Sequence, residues 1–216
     1  MKQMHEAGVS HPQAHQVAAL SNLAHIVVGG LFAAVSVLSA LETAGVTRGG
    51  WRFLWPGLLL VAGLFVPVFI LWAARAHGVS VRHVGADPLQ RQHFVLSALV
   101  FAGGVGEVLA VAQVGSAVLR FVWPTALVIV GYLFVVHRQH GTSDAVARAV
   151  RAHRMLGGTL ILAGLAHGIA TATRAGAGLV NTTWTVLLFL AALQFLRYRE
   201  PEGAYASPEA HRHHGR

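Results

Sequence analysis

Apolar residues run along this chain in long blocks, near 22–41, 53–74, 93–117, 121–138, 154–173 and 182–197, with short polar segments between them. A helix needs about 20 such residues to cross a hydrocarbon core of roughly 30 Å. The pattern therefore predicts an all-α integral membrane bundle of six transmembrane helices. The connections 42–51, 118–120 and 174–181 are short, whereas 75–92 and 139–153 are longer and richer in arginine and histidine. A polar, histidine-containing segment, 1–21, precedes the transmembrane domain at 22–197, and a His-rich tail, 198–216, follows it. The first segment has no apolar h-region of its own, so no cleavable signal peptide is expected.

An even number of spans puts both termini on one side. That side carries twelve of the sixteen lysines and arginines, leaving only Arg48, Arg52, Arg120 and Arg174 opposite. The bias predicts cytoplasmic termini in a bacterial inner membrane. The formal charge of +8 does not point to nucleic acid, because the basic residues are scattered between apolar blocks and form no stripe. With 55% hydrophobic and 11% charged residues and a mean hydropathy of +0.58, the lipid bilayer is the expected partner. A homo-oligomer or a larger membrane complex is compatible with the same composition.

An internal two-helix repeat ties residues to places. The second span begins Arg52-Phe53-Leu54-Trp55-Pro56 and the fourth Arg120-Phe121-Val122-Trp123-Pro124, each with a glycine seven residues after its proline, Gly63 and Gly131. They end in Arg75-Ala76-His77-Gly78 and Arg138-Gln139-His140-Gly141. The third and fifth spans follow in register from His93 and His153, with Gly104 matching Gly164. Helices 2–3 thus duplicate helices 4–5. Helices 1 and 6 are a worn third copy on weaker grounds: Gly29-Gly30 follows His25 as Gly157-Gly158 follows His153, and Trp184 opens the last span. Three hairpins about an axis along the membrane normal would result. Proline in a first turn loses no hydrogen bond, and the tryptophans are expected at the interface, where an amphipathic ring is comfortable. Gly78 and Gly141 suit helix C-termini that require a left-handed residue. The segment from Thr142 to Arg154 is expected to cap at Thr142 or Ser143, to gain from Asp144 in its first turn, and to present Arg148, Arg151 and Arg154 to anionic headgroups.

Chemistry is restricted by what is missing. The chain has no cysteine, which excludes disulfides, thiolate metal sites and iron–sulfur clusters. No nucleophile motif, phosphate loop or His-Glu-x-x-His sequence is present, so catalysis is not the expected role. Histidine, with 14 copies, is in excess. His25, His77, His93, His137, His140 and His153 all fall near the cytoplasmic ends of spans. Neutral imidazole ligates copper, zinc, nickel and iron, and residues from neighbouring helices can complete one site. Taken singly, each of these histidines is better explained as an interfacial or carbonyl-capping residue. Recurrence of His77 with His93 and of His140 with His153 favours a metal or haem site in the group.

Two polar positions lie deeper. Glu107 and His167 occupy corresponding places, fourteen residues after His93 and His153, about 21 Å along a helix. Such a pair is expected to form a proton relay, a metal-binding step or a buried hydrogen bond that fixes packing. The separation of His153 and His167 is also that of stacked haems in membrane b-type cytochromes. Glu107 interrupts the second half of that pattern, which leaves a single haem as the alternative cofactor.

The run from Trp123-Pro124 through His137-Arg138-Gln139-His140-Gly141 to His153 resembles the membrane portions of some bacterial copper-resistance proteins, over helices 2–5. The resemblance implies a transition metal, copper first, in transport or homeostasis. His77, His93, His137, His140, His153 and His25 would bind the metal, with Glu107 and His167 deeper in its path. The other expectations are a b-type cytochrome exchanging electrons with quinone and a non-catalytic subunit of a larger complex.

Overall fold

The computed structural model describes residues 11–137, 143–173 and 178–201. It is all-α, with seven α-helices: α1 His11–Thr43, α2 Leu54–Ala76, α3 Val81–Ala86, α4 Pro88–Val111, α5 Val122–Val135, α6 Ser143–Thr173 and α7 Leu179–Arg197. All but the six-residue α3 belong to segments long and apolar enough to cross a membrane. The chain is therefore a multi-pass membrane protein by helix length and hydropathy. Each span packs on the next, α1 on α2, α2 on α4, then α5, α6 and α7, and α7 returns to α1. The result is a closed ring, in which α1–α7, α2–α4 and α5–α6 are the most extensively packed pairs.

Three boundaries depart from the apolar blocks. α1 begins at His11, eleven residues before the expected start, and α6 begins at Ser143, so the arginine-bearing segment is continuous with the span it precedes. Asp144 lies in the first turn of α6, as expected, and Arg148, Arg151 and Arg154 are exposed. At about 46 Å for its 31 residues, this helix exceeds a bilayer core and must project from it. α4 stops at Val111 although the sequence stays apolar: Gln113 has φ 57° and Val114 N–H donates back to Leu109 O. The same closure ends α2, where Gly78 has φ 70° and Val79 N–H reaches Ala74 O, the left-handed stop expected there.

Both Trp-Pro segments are entered through a 3₁₀ turn, Gly49–Phe53 before α2 and Ala117–Phe121 before α5. The tryptophans of these Trp-Pro pairs turn inward and do not present their rings to the surroundings of the bundle. Trp55, Trp123 and Trp184 are 5%, 0% and 2% exposed, pointing into the bundle, whereas Trp51 and Trp72 are the exposed ones. Four residues beyond each buried tryptophan come Leu59, Leu127 and Leu188, and seven beyond come Ala62, Val130 and Ala191, all buried. The facing helices supply Phe32, Val100 and Leu160, each seven residues after a histidine and each buried. Small residues bring backbones together at the crossings. A Cβ on Gly63 would lie 2.6 Å from Phe101 N, and one on Gly131 2.8 Å from Ile161 N. On Gly104 it would lie 3.0 Å from Leu60 N, and on Gly164 2.9 Å from Val128 N. In the α1–α7 pair Gly29 stands 3.0 Å from Leu196 N by the same measure, matching Gly157 at 3.0 Å from Val135 N.

Candidate functional site

Four imidazoles from four segments converge at one end of the ring. Ring centroids run from His93 to His137 at 5.6 Å, from His137 to His153 at 4.9 Å and from His153 to His25 at 6.3 Å. Tyr198 stands 4.6 Å from His25 and 5.1 Å from His153, and Phe134 stacks on His153 at 5.7 Å. His137 and His153 are buried; His25 and His93 are half-buried.

The helices fix how these rings face. His25 Nδ1 lies 2.7 Å from Ser21 O, His93 Nδ1 2.9 Å from Leu89 O, and His153 Nδ1 2.8 Å from Ala149 O. Each partner is the carbonyl one turn earlier, and a carbonyl only accepts, so the proton sits on Nδ1. His137 reaches the same state through a side chain. Gln92 Nε2 donates to Leu133 O at 2.8 Å, which turns its Oε1 towards His137 Nδ1, also at 2.8 Å. In the neutral form of each of the four rings the lone pair is thereby on Nε2. Anchoring of one ring nitrogen by a carbonyl is the arrangement that orients a histidine as a metal ligand through the other.

Beside the imidazoles an apolar crevice of about 370 Å³ opens between α1, α2 and α4. Val66, Phe69, Val100, Phe134 and Phe195 line its depth; His25, His77, His83, His93 and Asp87 line its polar part. Of the sequence-derived set, the structure brings His25, His93, His137 and His153 together. It leaves His77 exposed on the crevice wall, and His140 lies outside the described residues. Among those described, no three His, Cys, Asp or Glu side chains are placed to hold one metal ion. Sequence reasoning missed Gln92 and Tyr198, whose roles depend on partners 41 to 173 positions away.

At the opposite end a second cavity, of about 470 Å³, is lined by Glu107 and His167 together with Glu42, Arg52, Trp55, Arg120 and Asn181. The deeper pair predicted from the sequence therefore opens on one space. His167 stacks on Trp184 at 4.1 Å, and its Nδ1 is buried with no hydrogen-bond partner. Arg52 Nε donates to Glu42 Oε1 at 2.8 Å, and Trp55 Nε1 donates to Glu42 Oε2. Glu42 was not foreseen, because it follows the last apolar block position of the first span; a carboxylate at a span terminus facing Arg52 was the available signal. The two cavities share no lining residue, and the leucine and alanine layers of the core occupy the depth between them.

No family model, curated protein or solved structure matches the chain.

Proposed function

We propose that the histidine end is a haem-binding site and that the protein is a b-type membrane cytochrome. The observation that carries this reading is the shared anchoring of His25, His93 and His153, with Nδ1 tied to a carbonyl one turn back, beside an apolar crevice that His25 and His93 both line. Haem iron asks the protein for one or two neutral imidazoles and an apolar slot, so three convergent donors are not required. The crevice volume of about 370 Å³ lies in the small-molecule and cofactor range of roughly 300–1,000 Å³. Haem bound there supplies one-electron transfer. The protein's part is to aim His25 and His93 through their carbonyl bonds and to exclude water with Phe69, Phe134 and Phe195.

A second reading, a bare transition-metal ion such as copper held by His93, His137 and His153, is favoured by their successive ring separations of 5.6 and 4.9 Å. It requires the rings to close further on one point. Copper transport also requires a path, and the apolar core between the two cavities argues against one in this conformation.

We further infer that the bundle is three copies of one hairpin, α2–α4, α5–α6 and α7–α1. Support comes from crossings that recur at matching positions: Gly63 at Phe101 with Gly131 at Ile161, and Gly157 at Val135 with Gly29 at Leu196. His93, His153 and His25 then occupy one position three times over. With the positive-inside bias, that end faces the cytoplasm of a bacterial inner membrane.

A visible spectrum of the purified protein, with metal analysis on the same sample, tests the assignment. A dithionite-sensitive Soret band with stoichiometric iron supports haem, whereas bound copper without a Soret band supports the second reading. Neither chromophore nor metal, even after loading with haemin or copper, defeats both.

A further inference from the structure

The cavity opposite the histidines is polar, and its charges are not balanced in pairs. Glu42 and Arg52 satisfy one another, and Glu42 also accepts from Trp55. Glu107 and Arg120 line the same cavity without an ion pair or hydrogen bond, to one another or to any described residue. Glu107 is only 7% exposed and His167 only 9%, yet both open on this space, and His167 Nδ1 lacks a partner. A carboxyl group buried at this depth must be paired, neutral or in contact with a polar cavity.

Symmetry sharpens the point. Arg52, Arg120 and Asn181 each stand three residues before a buried tryptophan. Glu107, His167 and Ser39 each stand fourteen residues after His93, His153 and His25. Of these six positions Arg52, Arg120, Asn181, Glu107 and His167 line the cavity, so its lining differs in charge among the three proposed hairpins, as an asymmetric occupant would demand.

We propose that this cavity binds a small zwitterion, its ammonium group against Glu107 and His167 and its anionic group against Arg120. A simple cation would meet Arg120, and a simple anion would meet Glu107. A single molecule carrying both charges answers both groups at once. The volume, about 470 Å³, suits a small molecule. Phosphoethanolamine chemistry meets the requirement, either as a soluble compound or as the headgroup of a phospholipid reaching in from the membrane surface.

The test uses the full chain in detergent and O-phosphoethanolamine as the soluble probe, followed by titration calorimetry. Ethanolamine and inorganic phosphate are titrated separately. Binding of the zwitterion at least tenfold tighter than either half is expected, falling at least tenfold in Glu107→Gln and in Arg120→Gln. Arg120 is exposed, so its variant folds even if Glu107→Gln does not, and an unchanged melting temperature identifies a folded variant. A parallel arm asks whether vesicle-derived phosphatidylethanolamine co-purifies in preference to phosphatidylglycerol. Soluble binding without lipid retention assigns a free zwitterion, and lipid retention lost in Arg120→Gln, with or without soluble binding, assigns the headgroup. Equal binding of phosphate or ethanolamine alone, or no binding in either arm, overturns the proposal.

Discussion

On the proposed three-hairpin reading, the two ends of the bundle treat corresponding positions in opposite ways. At one end His25, His93 and His153 keep the same residue with the same Nδ1-to-carbonyl bond. At the other, Glu107, His167 and Ser39 share a depth but no chemistry, and Arg52 and Arg120 are matched by Asn181. Between them lie Leu59, Leu127 and Leu188, each at most 1% exposed, which form an apolar layer separating the two environments. On the same proposed reading, one scaffold would present the same imidazole to a cofactor at one end and an uneven charge pattern at the other. The apolar layers keep the two designs independent.

That independence is what mutations should break first. Gly131→Leu drives a side chain into the Ile161 and Gly157 backbone, where even a Cβ would sit 2.6–2.8 Å away. A backbone cannot repack around it, so destabilisation of about 3 kcal/mol or more is expected. It should appear as loss of the monodisperse peak on size-exclusion chromatography. Gly63→Leu should behave alike, whereas Gly30→Ala and Gly158→Ala, with nothing within 4 Å, should stay within about 0.5 kcal/mol of the parent. If Gly63 tolerates leucine, the proposed equivalence of the hairpins fails.

Next in size are the ligands. His93→Ala removes a proposed ligand and should weaken haem binding by at least the factor of about 10–100 that follows loss of an outer-shell partner, read by haemin titration. His77→Ala, at an exposed side chain, should leave the spectrum in place. A milder effect is expected from Glu42→Gln, which removes the charge that Arg52 and Trp55 address. The cost is about 1–2 kcal/mol, since bonds to charged groups exceed neutral ones but the Arg52 side is half exposed. Circular-dichroism melting should show it, with the Soret band unmoved. Smallest is Ser36→Ala, which deletes a buried 2.6 Å bond to Thr185 O. About 0.5–1.5 kcal/mol should be lost on the same melting curve.

Much of this architecture could be read along the chain because it depends on local quantities. Block length specifies the spans, and the Arg-x-x-Trp-Pro spacing specifies where two of them begin. Gly78 announces its own left-handed stop. The misplacements have physical causes. The Trp-Pro spacing puts Trp55 and Trp123 at helix starts, but which way each ring faces depends on the neighbouring helices, and both turn inward. The end of α4 was placed six residues late because Gln113, not glycine, adopts the left-handed conformation there. At the histidine end, the grouping of these residues near one end of the spans was legible but their convergence was not. His77 and His93 look equally suited in sequence, and only the folded chain separates an exposed ring from one tied to Leu89 O. Gln92 orients His137 across 45 positions, a relation without a local signature.

Ligation of haem iron by the carbonyl-anchored histidines is tested most sharply by the visible spectrum of the purified chain, as isolated and after haemin loading, beside His25→Ala and His93→Ala. The account predicts a dithionite-sensitive Soret band in the parent that is lost or strongly altered in both variants and unchanged in Glu107→Gln. A parent without that band after loading, or one whose band is indifferent to both histidines, would contradict it.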